Sequence, residues 1–186
     1  MERRYFEHMP VAVRSDGGGE DTPAPIILDC RFATFVGTYE CGYDCYERID
    51  PHAFDDTIAD DIRVLWNHDT GFVLGRTAAG TADLKVMPEG VDGTVEINQD
   101  DRAALDAAAR VKRGDVTGCS IGFDILDEHI ETRDGKTGFV IDKIKLYECS
   151  ICTFPAYEAT SAKSRNAGEA RVKAFKYRMK ERLKNA

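Results

Sequence analysis

The sequence predicts a mainly β fold with some α structure, an α+β class. It should be compact and mostly antiparallel, a barrel-like sheet decorated by a few helices. Three observations carry that expectation. Short runs rich in β-branched and aromatic residues recur along the chain, several alternating apolar with polar positions in the strand period. The joints between them hold Gly, Asp and Asn, the residues of tight turns. Only 99–113 and the stretch from 167 onward have the apolar spacing of a helix of any length. With 186 residues the chain is long enough for one domain with a substantial core.

Taken in order, residues 1–14 mix apolar and charged positions and make a candidate first strand. Residues 15–25, SDGGGEDTPAP, are a loop by composition. Ile26 to Tyr39 reads as strand, with Gly37 a candidate bulge. Asp50-Pro51 is a helix-start signal, an N-cap carboxylate followed by proline at the first helical position. The short helix it opens should bury Phe54 and Ile58. Ile62 to Trp66 is an apolar strand ending at Asn67-His68-Asp69. Three extended pieces follow: Phe72 to Thr77, Ala82 to Met87 and Val91 to Ile97. Gln99 to Arg113 is Ala-rich, begins after Asn98 with Asp100 and Asp101 in its first turn, and stops at Gly114, so it reads as a helix. A strand then runs through Ser120 to about Ile130, turns at Asp134-Gly135 and returns as Phe139 to Thr153. Phe154-Pro155 ends it.

Charge divides the chain unevenly. The net is −8, yet residues 163–186 hold nine Lys or Arg against two Glu, a net of +7, which leaves −15 on the other 162 residues. Residues 161–168, SAKSRNAG, read as a linker. The expected organisation is therefore a body over 1–162 and a basic amphipathic tail over 163–186, with Val172, Phe175, Met179 and Leu183 on one face. No apolar run is long enough to span a bilayer, and MERRYFEHMP lacks the apolar stretch of a signal peptide. Nucleic-acid binding is disfavoured, because the acidic body repels phosphates and the tail offers only Phe175 and Tyr177 for stacking. Six cysteines without a secretion signal read as thiols. Cys41, Cys45, Cys149 and Cys152 are zinc candidates, but on a strand Cys149 and Cys152 point to opposite faces, so no metal or other cofactor is expected.

The chemistry centres on TGCSIGF, residues 117–123. Cys119, Ile121 and Phe123 fall on one face of the strand. Ser120, Gly122 and Asp124 fall on the other, expected to face solvent. Gly118 and Gly122 keep bulk away from the Ser120 hydroxyl. A serine attacks only when a neighbouring base takes its proton, and the base needs a partner to hold its tautomer. Of the four histidines, His8 is near the terminus, His52 opens a helix and His129 is close to a hairpin turn. Only His68 stands at the end of an apolar strand, where a rigid element holds it. Glu148 shares a strand face with Ile144 and Leu146, which aims an ionisable group at the core, costly unless it is paired. A symmetrical turn at Asp134-Gly135 sets Ser120 opposite Cys149 and puts Glu148 on the other face; a single bulge brings the two together. Both registers stay open, as do Asp142 and His129 as substitutes for Glu148, and Cys119 as a substitute nucleophile.

Three segments, Trp66-Asn67-His68-Asp69, the SIGF motif at Ser120 to Phe123, and Tyr147-Glu148-Cys149-Ser150 running on to Phe154-Pro155-Ala156, resemble in order and spacing the prohead (capsid maturation) serine proteases of HK97-type tailed phages. The resemblance covers roughly residues 25–160 and includes Ile49-Asp50-Pro51-His52-Ala53-Phe54. It departs from the family's usual pattern at Tyr157, Cys149 and Cys152, all beyond the nucleophile and base. The resemblance implies a fold related to the herpesvirus assembly protease. It implies a serine endopeptidase with Ser120 as nucleophile, His68 as general base and Glu148 as third member. Its substrates would be scaffold or major capsid protein and the enzyme itself, with a homo-oligomer compatible, inside the procapsid in the host cytoplasm. A reading from another class is a catalytically silent assembly module that binds scaffold or capsid protein.

Overall fold

A long hairpin is the frame of the molecule. In the computed structural model, residues 2–6, 11–15, 24–42 and 44–154 are described, with positions 176, 177, 180 and 184. β10 (Gly118–Arg133) and β11 (Lys136–Cys152) pair antiparallel along their whole length. They are joined by Asp134 and Gly135, both with positive φ (51° and 77°), the two-residue turn whose twist suits a hairpin. The predicted turn is where the sequence places it.

Other strands dock on this hairpin. β1 (Glu2–Phe6) runs antiparallel to β10, with Tyr5 in register with Ser120. On the far edge of β11, β5 (Cys45–Ile49) lies parallel to Thr137–Ile141, and β6 (Arg63–Trp66) lies parallel to Glu148–Ile151. β4 (Tyr39–Gly42) extends from β5, and β7 (Asp69–Arg76) from β6. A second, antiparallel sheet follows the order β2 (Val11–Ser15), β3 (Ile26–Thr34), β9 (Gly90–Glu96), β8 (Ala82–Met87). The mainly β, α+β class stands. The barrel does not: the first sheet forks at β11 instead of curling back to its first strand, and no strand pairing joins the two sheets among the described residues.

Both sheets share one core, with Leu28 and Phe32 of β3, Val91 and Val95 of β9, and Ile121, Phe123, Ile144 and Leu146 of the hairpin fully buried or nearly so. Each such side chain contributes about 1.5–3 kcal/mol. The helix α1 (Arg102–Arg113) adds Ala104, Ala107, Ala108 and Val111. Its N-cap is Asp101, whose carboxylate accepts from the Ala103 and Ala104 amides, while Asn98 makes its own turn onto the Asp100 amide. The helix therefore starts three residues later than expected. Asp50-Pro51 opens a 3-10 helix, Pro51–Phe54, that buries Phe54 completely.

One detail of this segment governs the site. Between its β5 and β6 partners, residues 142–147 of β11 have no strand on that edge, and the chain after Phe54 lies there instead. The buried Thr57 hydroxyl accepts from the Leu146 amide (3.0 Å) and donates to Asp60, which also accepts from Lys145. A side chain thus satisfies a backbone N–H where a strand is missing. No helix among the described residues is long and apolar enough to cross a membrane. The tail expected over 163–186, and with it the limit at residue 162, lies outside the described residues apart from four isolated positions.

Candidate active site

The sequence left two registers open for the hairpin, and the structure adopts the bulged one. From the turn, Phe123 still faces Leu146, but Gly122 faces Glu148, so Tyr147 is the extra residue. Two further irregularities, at Leu126 on β10 and Asp142 on β11, offset each other. Directly opposite residues of an antiparallel pair share a face. Ser120 therefore shares a face with its partner Ser150, and Gly122 with its partner Glu148. The bulge corrects one expectation, since Glu148 lies on the face opposite Ile144 and Leu146, which remain in the core. A second correction concerns Ser120. It was expected to face solvent and is instead fully buried, because β10 is covered on both faces in this stretch.

His68 enters from a tight connection. Asn67 and His68 form the two-residue turn between β6 and β7, both in the left-handed region (φ 53° and 59°). That conformation costs about 1–2 kcal/mol for a residue with a Cβ. Neighbouring bonds offset it. The Asn67 amide donates to the Ile151 carbonyl (2.9 Å), and the Asn67 side chain and Thr153 bond reciprocally, at 2.8 and 3.3 Å. The His68 amide donates to Ser150 Oγ at 3.1 Å. β11 thus sets the backbone of the turn as well as carrying Glu148.

The imidazole then meets the carboxylate. His68 Nδ1 lies 2.6 Å from Glu148 Oε1, and Ser150 Oγ donates to Glu148 Oε2, also at 2.6 Å. His68 is 7 % exposed and Glu148 4 %. Both oxygens of a buried carboxylate have partners, which is the condition for keeping an ionisable group inside. Gly122 makes the room: a Cβ there would lie 2.2 Å from Glu148 Oε1. The sequence explained this glycine by access to Ser120; it is the seat of the carboxylate.

His52 and His129 lie elsewhere. His52 is exposed beside Asp55, and His129 pairs at the surface with Asp142 (2.5 Å), nine residues along β10 from Ser120, a span of about 30 Å. His8 is outside the described residues. Cys119 turns into the core with Ile121, and its thiol is pushed up by the hydrogen bond with Cys30 and by burial, which suppresses the thiolate form.

A cavity of about 560 Å³ opens beside the turn, lined by Trp66, Phe72, Ala103, Arg110, Val116 and Thr153. Trp66 and Phe72 form its aromatic wall, ring centroids 6.2 Å apart. Ser150, Asn67 and Thr153 were not singled out from the sequence. Ser150 carried a readable signal: two residues beyond Glu148 on a strand, it shares that side chain's face.

A mainly β protein holding a buried histidine–carboxylate pair, with a serine on the same sheet face, fits the hydrolase class. The chain matches the caudovirus prohead serine protease family over residues 26–175, well over half its length, and belongs to that family. No curated protein and no solved structure matches it.

Proposed function

We propose that the chain is the serine endopeptidase of capsid maturation, with Ser120 as nucleophile, His68 as general base and Glu148 as the group that orients the base. The observation that carries the reading is the buried 2.6 Å contact between His68 Nδ1 and Glu148, on the sheet face that also holds Ser120. With Nδ1 engaged, Nε2 is the nitrogen left to accept a proton. The Ser120 hydroxyl gives its proton to Nε2 as its oxygen attacks the scissile carbonyl, and the carboxylate stabilises the imidazolium. The proton then passes to the leaving amine, and water repeats the sequence to release the acyl group. Backbone N–H groups stabilise the oxyanion.

The proposed substrates are scaffold or major capsid protein and the chain itself, inside the procapsid in the host cytoplasm. The fold is proposed to be related to the herpesvirus assembly protease. The cavity walled by Trp66 and Phe72 is proposed to receive a substrate side chain. The basic tail, 163–186, is proposed to be a docking or self-processing segment whose charge suits an acidic surface.

One observation favours the silent assembly module: Ser120 is 0 % exposed, so catalysis requires this face to open. Incubating the purified protein with its capsid or scaffold protein, beside Ser120→Ala, separates the two. Cleavage lost in the variant supports the enzyme; binding without cleavage in both supports the module. Mapping a fluorophosphonate adduct adds a second check, and an adduct on Ser150 in place of Ser120 would overturn the assignment.

A further inference from the structure

We propose that Ser150 is a positioning residue whose hydroxyl acts on His68 twice, on the imidazole by way of Glu148 and directly on the backbone amide. This role rests on the proposed function, and its physical basis stands separately. The Ser150 hydroxyl makes two bonds in opposite senses. Its proton goes to Glu148 Oε2 at 2.6 Å, and its oxygen accepts from the His68 amide at 3.1 Å. One buried hydroxyl therefore ties the carboxylate to the backbone of the residue which that carboxylate must orient.

Two freedoms would otherwise loosen the pair. A carboxylate can turn so that either oxygen, or neither, faces its partner. Capping Oε2 leaves Oε1 for Nδ1. The second freedom is in the turn. His68 occupies the left-handed region at φ 59°, a conformation its neighbours must impose. The bond from its amide to Ser150 contributes to that constraint at the residue itself, where the Asn67–Thr153 clamp holds only the residue before it. β6 supports the geometry by placing Leu65 in register with Ser150 and Arg63 with Glu148, and the Arg63 guanidinium is turned to Asp61. In this reading Ser150 is not itself the nucleophile or the base. It sets where the imidazole stands.

The test uses the full-length protein and three substitutions, Ser150→Ala, Ser150→Thr and Cys149→Ala. Cys149 is fully buried on the core face next to Ser150, so its truncation costs packing without touching the carboxylate. The readouts are the rate at which a fluorophosphonate labels Ser120, the melting temperature, and the resonance of the His68 Nδ1 proton. Ser150→Ala is expected to slow labelling roughly 10- to 100-fold, the size of one charge-assisted hydrogen bond, and to shift or broaden the imidazole resonance. Ser150→Thr, which keeps the hydroxyl, should recover most of the rate. Cys149→Ala should lower the melting temperature and leave rate and resonance near the parent's.

Labelling of Ser150→Ala at the parental rate with an unmoved resonance overturns the proposal. So does a Cys149→Ala loss as large as that of Ser150→Ala, since the rate would then follow stability alone. If Ser150→Ala does not fold, Ser150→Cys keeps the volume with a weaker donor and should give an intermediate loss; a parental rate and resonance there also overturn it. A parent chain that takes no label at Ser120 overturns the protease reading instead, and the imidazole resonance then decides the role of Ser150 by itself.

Discussion

Two histidine–carboxylate pairs involve the β10–β11 hairpin, one wholly within it and one completed by His68 from the β6–β7 turn, and their separations are nearly the same. His68 and Glu148 meet at 2.6 Å, His129 and Asp142 at 2.5 Å. Each carboxylate is at or beside a bulge of β11. Distance therefore does not distinguish them, and the surroundings do. The His129 side chain is 54 % exposed and that of Asp142 33 %, against 3 % and 5 % for the other pair. An exposed pair is screened by water and contributes about 0–1 kcal/mol, whereas removing one partner of a buried pair costs about 3–5 kcal/mol. The buried pair is also held from behind, by Ser150 on the carboxylate and by a left-handed turn clamped to β11. A site here is a pair whose second neighbours are fixed as well as its first.

The sharpest way to test that contrast is to break the buried pair at its centre. His68→Gln and Ser120→Ala should each lower cleavage by about 10⁶-fold, the loss expected when a member of an interdependent set is removed. Paired assays of capsid-protein cleavage read it directly, and an active Ser120→Ala enzyme would end the assignment. Glu148→Gln keeps the shape and removes the charge opposite the imidazolium. We expect a smaller loss, roughly 10³- to 10⁴-fold in kcat with KM little changed. Full activity in the Gln variant would return Glu148 to a structural role.

A subtler break leaves every polar group in place. Gly122→Ala puts a methyl where Glu148 Oε1 lies, with 2.2 Å between the new Cβ and that oxygen. The carboxylate must move, and it is held by two bonds. Activity should fall roughly 10- to 100-fold, with about 1–3 kcal/mol of stability lost to overpacking, measured by kcat and by thermal melting of the same samples. Unchanged kinetics would show that Glu148 tolerates displacement, and the contrast between the two pairs would then rest on burial alone.

These residues also mark where the sequence could and could not be read. The strands with plain alternation, the Asp134-Gly135 turn and the Ala-rich helix were legible because their signals are local. β5 was missed because its partner, the start of β11, is some ninety residues away and the pairing is parallel, which no hairpin motif announces. The barrel expectation failed for a related reason, since the fork at β11 depends on which strands share an edge and not on any strand's own pattern. His68, Ser120 and Glu148 could be nominated from residue type, position and family resemblance. Their common face depends on the Tyr147 bulge, which has no Gly or Pro to signal it and is supported by Thr57 from another segment. The left-handed turn at Asn67-His68 was equally hidden, because the bonds that hold it come from β11.

The smallest expected effect closes the comparison from the other side. His129→Gln and Asp142→Asn remove the exposed pair, and each should leave cleavage within about twofold of the parent and stability within about 0.5 kcal/mol. The physical reason is the lack of enclosure. His129 is more than half exposed, so water competes for both ring nitrogens and salt screens the charge, and the two residues are on the arm of the hairpin remote from Ser120. Asp142 sits in a bulge, so its change tests whether a bulge of β11 matters when no site depends on its side chain. Raising the ionic strength in the same assay should weaken whatever the exposed pair contributes and leave the His68–Glu148 contact almost untouched. A His129→Gln enzyme with cleavage reduced tenfold or more, at unchanged melting temperature, would show that the outer pair takes part in catalysis or substrate docking. Enclosure would then no longer separate a working pair from an incidental one in this protein.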